Sequence, residues 1–165
     1  MPHILMIGDI IGSPGRRAVQ ARLPGLRQKH KIDLVIANGE NAAGGLGLTV
    51  ETADALFSSG VDVITSGNHI WQYKEIVPAL EDGHLPLLRP LNYPPQAPGR
   101  GHLINGQVMV VNLVGRTFMG PLDCPFRTVE ALLEGLGNKA PKVILVDFHA
   151  EATSEKVAMG WFLNG

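Results

Sequence analysis

The sequence predicts an α/β fold with a mainly parallel sheet followed by an antiparallel hairpin, and three observations predict it. Residues 4–7, 34–37 and 143–146 are short, continuously apolar runs, and 61–65 is apolar apart from Asp62 and Thr65, the pattern of strands covered on both faces. The segments after the first runs carry apolar residues at helical spacing, so strands and helices alternate. Asn105-Gly106 lies between residues 102–104 and 107–113 and suits a two-residue type I′ hairpin turn, whose central positions both need positive φ.

Taken in order, the first strand leads into a helix over residues 14–31, with Val19, Leu23 and Leu26 on its inner face. Ser13 is the expected N-cap and Pro14 the first helical residue. Pro24 is expected to kink or divide this helix, because an interior proline deletes a helix hydrogen bond. A second helix should start at Thr49, turn Ala53, Leu56 and Phe57 inward and end by Gly60, where glycine can take the left-handed conformation. A third, short one runs from about Lys74 to Leu80. Right-handed crossovers then put the carboxyl ends of the parallel strands on one edge. Pro86, Pro90, Pro94, Pro95 and Pro98 prevent regular helix or central strand over residues 85–101, which reads as an ordered excursion or loop. A parallel section followed by a hairpin implies two sheets or one mixed sheet, not a simple doubly wound fold.

Composition narrows the function classes. A chain of 165 residues, 45% hydrophobic and 18% charged, describes one soluble globular domain spanning 1–165. A net charge of -1 argues against extended binding of duplex nucleic acid, which rests on neutralising phosphates. Cys124 is the only cysteine, so there is neither a disulfide framework nor a thiolate metal cluster, and a reducing, cytoplasmic location is expected. The N-terminal run reaches Gly8-Asp9 too soon for a secretory leader, and no apolar run is long enough to span a bilayer.

The chemistry is concentrated in turns. Gly8-Asp9-Ile10, Gly39-Glu40-Asn41 and Gly67-Asn68-His69 each follow an apolar strand, and a fourth strand ends in Asp147-Phe148-His149. Carboxylate, amide and imidazole groups gathered on one sheet edge suit a divalent cation. Each residue also has a plain structural use: Asp9 as a helix-entry acid, Asn41 as a turn residue, His69 as a hydrogen-bonded strand-end histidine. Glu40 is harder to explain that way, since a glutamate beside so apolar a strand is costly to desolvate without a cation or donors. The glycines of residues 42–47 would let backbone N–H groups approach a phosphate or simply form a flexible turn. No Gly-Lys-Ser/Thr follows them, and Gly8, Gly12 and Gly15 do not match the dinucleotide fingerprint. Trp71 and Tyr73 would stack on a base or pack internally.

Asp9 after its strand, residues 36–45, residues 65–71 and residues 146–156 together resemble the YmdB-like metallophosphoesterases, over essentially the whole chain. The resemblance implies a metallophosphoesterase-like four-layer α/β/β/α sandwich of the calcineurin-like superfamily. It implies two divalent metal ions, most often iron or manganese with zinc as a further choice, and phosphodiesterase activity on cyclic nucleotides, including 2′,3′-cyclic ones. Carried over by motif, Asp9, Glu40, Asn41, Asn68 and His149 are metal ligands, with Glu40 bridging, and His69 is the general acid. Ile10-Ile11 stands where the wider superfamily has the histidine of Asp-x-His.

The family continues into a further strand ending in a Gly-Thr-His-Thr-His segment with two more histidine ligands, and this chain stops at Asn164-Gly165. The expectation is therefore a domain incomplete at its C-terminus, with its last strands missing. Exposed sheet edges would favour a homo-oligomer or instability. The alternative reading is a truncated, catalytically weak or inactive metal- or nucleotide-binding fragment. A purely structural domain ranks last, because it makes Glu40, Asn41, Asn68 and His149 independent accidents on one edge.

Overall fold

Apolar strands alternating with helices produce two sheets in the computed structural model, which describes residues 2–164. The first sheet comes from β1 (Ile4–Ile7), α1 (Gly12–His30), β2 (Leu34–Asn38), α2 (Val50–Ser58) and β3 (Val63–Thr65), with strand order β1-β2-β3 and every pairing parallel. A one-turn helix at Asn68–Trp71 and α3 (Ile76–Asp82) follow. The second sheet holds β4 (His102–Asn105), β5 (Val108–Val114) and β6 (Val143–His149) in the order β4-β5-β6, antiparallel then parallel. Helix α4 (Pro125–Leu136) connects β5 to β6, and α5 (Thr153–Phe162) follows β6.

Three apolar clusters make these elements a four-layer α/β/β/α sandwich. Val19 and Leu23 of α1 and Ala53 and Leu56 of α2 pack on Val35, Ala37 and Ile64 of the first sheet. The opposite face of that sheet, with Leu34, Ile36 and Val63, meets Val108 and Val110 of the second. Met109, Val111 and Leu113 on the outer face of β5 pack against Val129 of α4 and Met159 of α5. Alternate residues of β2 and β5 thus face different layers, which is why both strands are buried throughout.

Several local expectations are corrected. Ser13 lies within α1; the N-cap is Ile11, without a side-chain cap bond, and Gly12 opens the helix at φ +56 packed against Gly44 and Gly45. Pro24 neither ends nor divides α1, because it and Gln20, whose carbonyl loses the bond, are both exposed to water. Leu26 is 41% exposed, so α1 buries only Val19 and Leu23 of the predicted stripe. The third helix is shifted toward the C-terminus, to Ile76–Asp82. In the hairpin Asn105 pairs with Val108, leaving Gly106-Gln107 as the loop with positive φ at Gly106 alone, the sign pattern of a type II′ turn. Met6 is 44% exposed and β6 is half-buried along its length, so the two-faced burial expected of every strand fails at these edges. The proline-rich excursion is ordered and lays Leu87 beside Ile64 as a parallel bridge. No helix among the described residues is long and apolar enough to cross a membrane.

Candidate metal centre

β1, β2 and β6 end at one edge, and the residues just past or at those ends converge. Asp9, Glu40 and His149 each offer a ligand atom, and these atoms lie within 4.8 Å of one another. Glu40 sits at the centre, only 1% exposed. Its backbone N–H donates to Asn38 Oδ1 at 3.1 Å, which aims the side chain across the sheet edge. Oε1 receives Asn41 Nδ2 at 3.1 Å and lies 3.2 Å from both His69 Nδ1 and His149 Nε2. Oε2 is enclosed and has no hydrogen-bond partner.

That orphaned oxygen is the fit test for a metal. Burial pushes the Glu40 carboxyl above its usual range, His149 and then His69 oppose the rise, and the Asp9 carboxylate adds to it. A buried carboxylate oxygen without a donor costs free energy, and a cation bound by a mixed carboxylate and imidazole set supplies the missing partner. The residues present fit a divalent metal.

Gly67 makes this convergence sterically possible. A Cβ there would lie 1.8 Å from Glu40 Oε2 and 2.6 Å from His149 Cδ2. Its φ of -144° and ψ of -147° need no glycine, so the close approach, and not a sharp turn, is the reason for the residue. Asn41 Nδ2 also reaches Asp9 Oδ2 at 3.5 Å, while its Oδ1 meets His69 Nδ1 at 2.9 Å. Ligation by Asn41 through oxygen therefore requires its amide to turn over, exchanging Oδ1 and Nδ2. Asn68 opens the Asn68–Trp71 turn, half-exposed, and among the described residues no hydrogen bond ties its side chain to the cluster. Of the sequence-derived set, Asp9, Glu40, Asn41, His69 and His149 are thus in mutual contact, and Asn68 is only a neighbour in the chain.

The structure adds Tyr93, which the sequence did not single out, and places Trp71, Tyr73 and Asp147. Trp71 packs edge-on against Tyr93 of the proline-rich excursion, with ring centroids 5.3 Å apart, so its indole is used internally. Burial raises the Tyr93 hydroxyl above its ordinary range, and the Glu40 charge adds to that. The Tyr73 ring lies over the glycine loop, where a Cβ on Gly47 would come within 2.8 Å of it. Asp147 carries its carboxylate to Asn38 Nδ2, at 3.2 Å, and to the Thr65 hydroxyl, not to the cluster.

The family model described as YmdB-like protein matches residues 5–165. The chain belongs to the YmdB-like family. Within it, this YmdB-like chain is 48% identical over 168 residues to a Bacillus subtilis (strain 168) protein named 2′,3′-cyclic-nucleotide 2′-phosphodiesterase, covering 99% of the chain and 62% of that relative. A crystal structure of a hypothetical protein from Thermus thermophilus superposes with a TM-score of 0.88 at 47% identity, over 98% of this chain and 63% of the other. A structure described as a novel phosphatase from Mycoplasma pneumoniae gives a TM-score of 0.88 at 31% identity, over 98% of this chain and 60% of the other. The YmdB-like chain thus spans about six tenths of the length of these relatives.

Proposed function

We propose that this chain is a metal-dependent phosphodiesterase acting on small phosphodiesters, with 2′,3′-cyclic nucleotides as the substrate class. The observation that carries the proposal is the enclosed Glu40 carboxylate, its Oε2 unpartnered, between Asp9 and His149. The name of the Bacillus subtilis relative supports the substrate class. In this reading Asp9, Glu40, Asn41, Asn68 and His149 would hold two divalent ions, iron or manganese, with Glu40 as the shared ligand. When bound, such ions would supply Lewis acidity for activating water near neutral pH.

The chain's own residues supply orientation and a proton. His69 Nδ1 lies 3.2 Å from Glu40 Oε1, which holds the ring, and Nε2 has no protein partner among the described residues. In the doubly protonated ring Nε2–H is the proton free to reach the departing ribose oxygen, which makes His69 the general acid. The same proposal takes residues 1–165 as part of one metallophosphoesterase domain acting in the cytoplasm.

The test is elemental analysis of the chain purified without chelator, with hydrolysis of 2′,3′-cyclic AMP assayed after adding Mn²⁺. Two metals per chain with turnover supports the proposal. Bound metal without turnover reduces the chain to a metal-binding fragment, and absence of both removes the metal reading.

A further inference from the structure

The candidate ligands come from two different sheets whose strands do not pair directly; the proline-rich excursion straps them together, its Leu88 N–H donating to the Ile64 carbonyl at 2.8 Å and its Leu91 N–H to the Asn112 carbonyl at 2.7 Å. Asp9 and Glu40 follow β1 and β2 of the first sheet, whereas His149 ends β6 of the second. The faces between the sheets are apolar, with Leu34, Ile36 and Val63 on one side and Val108 and Val110 on the other. Apolar packing is strong but non-directional. Metal ligation tolerates errors of about 0.2 Å in ligand distance. Beside that strap, the ligand edge needs directional bonding of its own.

The polar groups at that edge supply it. Asn112, in β5 and fully buried, accepts from the Ser66 backbone N–H at 2.9 Å and donates Nδ2 to the Ser66 carbonyl at 2.9 Å. Its side-chain amide therefore binds Ser66 as a neighbouring strand would, across the gap between the sheets. Nδ2 also lies 3.4 Å from the Asp147 carbonyl. Ser66 directly precedes Gly67, against which Glu40 Oε2 and the His149 ring are pressed, and Asp147 lies two residues before His149. A second link runs the other way, from the Asp147 carboxylate to the Thr65 hydroxyl and Asn38 Nδ2.

We propose that Asn112, with the Thr65–Asp147 link beside it, is a positioning residue for the metal centre, registering the two sheets so that Glu40 and His149 reach a common cation. The inference rests on the metal reading above and adds the group that sets the geometry. Neither Asn112 nor Thr65 touches the cation; each acts through the backbone that carries a ligand. Losing such supporting hydrogen bonds typically weakens metal affinity about 10–100-fold.

The experiment measures Mn²⁺ affinity by the electron paramagnetic resonance of free Mn²⁺, with thermal unfolding of the same samples. The variants are Asn112→Ala, Thr65→Val and, as a control, Val110→Ala, which opens a cavity between the sheets without touching either polar link. Thr65→Val preserves shape and removes only the hydroxyl, so it keeps the test open if Asn112→Ala fails to fold. Affinity falling tenfold or more in Asn112→Ala or Thr65→Val, with Val110→Ala within threefold of the parent, is the expected result. Parental affinity in the polar-link variants, or equal loss in the Val110→Ala control, overturns the positioning role alone. A parent chain that takes up no Mn²⁺ overturns the metal reading and this role with it.

Discussion

Gly67→Ala tests the geometry of the centre more directly than removal of any ligand. The backbone at Gly67 has a negative φ that alanine can adopt, so the substitution adds one methyl group and no conformational strain. That methyl would stand 1.8 Å from Glu40 Oε2 and 2.6 Å and 2.7 Å from His149 Cδ2 and Cγ. The carboxylate oxygen has to retreat by about 1.6 Å to regain ordinary contact, and the imidazole by a little under 1 Å. Glu40 is 1% exposed, so its retreat meets packed neighbours. Overpacking of this kind costs about 1–3 kcal/mol. At roughly 2–4 °C per kcal/mol for a chain of this size, the metal-free Tm should fall by about 2–12 °C. The effect on metal should be larger, because both displacements exceed the roughly 0.2 Å tolerance of a ligand bond. Mn²⁺ affinity should drop by about 100-fold or more. Circular dichroism melting and a Mn²⁺ titration on one preparation measure both quantities. Gly120→Ala, where an added Cβ meets nothing within 4 Å, is the control. An alanine variant at position 67 that binds Mn²⁺ within threefold of the parent would refute the argument that Glu40 and His149 share a cation at this spot.

Further outcomes follow from the same contacts. His69→Ala should lower turnover of 2′,3′-cyclic AMP by roughly 10²–10⁴-fold with metal content retained, whereas Glu40→Gln should reduce both; equal metal loss in the two variants contradicts that division of roles. Because burial holds the Glu40 carboxyl above its ordinary value of 4.5, the folded metal-free chain keeps that proton to higher pH than the unfolded chain does. Its contribution to stability therefore declines as pH rises from about 4.5 through the raised native value, and urea unfolding across that window should show the decline flattened in Glu40→Gln. At the end of α1, Lys31 holds φ 50° and ψ 50°, a left-handed conformation costing a non-glycine residue about 1 kcal/mol. Lys31→Gly should accordingly raise Tm by about 2–4 °C in a melt, and a lower Tm would contradict the capping argument.

The legible parts of the sequence were those written in local pattern. The apolar runs mark four of the six strands, and the hairpin dipeptide marks β4 and β5, because burial on two faces and a tight turn each constrain neighbouring residues. The hairpin register slipped by one position, since pairing of Val108 with Val143 and burial of β5, and not the turn dipeptide, decide which residues face inward. Helix α4 went unpredicted although Val129, Leu132, Leu133 and Leu136 recur at helical spacing after Pro125, because glycines and prolines on both sides resemble loop. Leu26 shows the reverse error: the spacing was helical but the helix buries a narrower stripe than the pattern offered. Around Glu40, the sequence named Asp9, Asn41, His69 and His149, which the structure brings together, because each stands at or just past a strand end. Asn112 was not named, although an amide between Val111 and Leu113 must find partners once buried. Its partner Ser66 lies 46 residues away, in the other sheet, and nothing local records that pairing.

That distance points to a division in how the fold serves the site. Within each sheet, the β-ladders hold neighbouring strand ends in register, so Asp9 and Glu40 keep their spacing as a consequence of strand pairing alone. Across the sheets the strands do not pair directly, and beside the backbone strap through Leu88 and Leu91, His149 is brought to Glu40 by two polar links and a glycine where the two side chains press. A change within one sheet should lower global stability and metal affinity together. A change at the joint should lower metal affinity first, because the apolar face still holds the sheets together while their register drifts by more than a ligand bond allows. Affinity falling further than the loss of Tm accounts for is therefore the signature of the joint, and it separates Asn112 and Thr65 from every core residue that merely holds the sandwich closed.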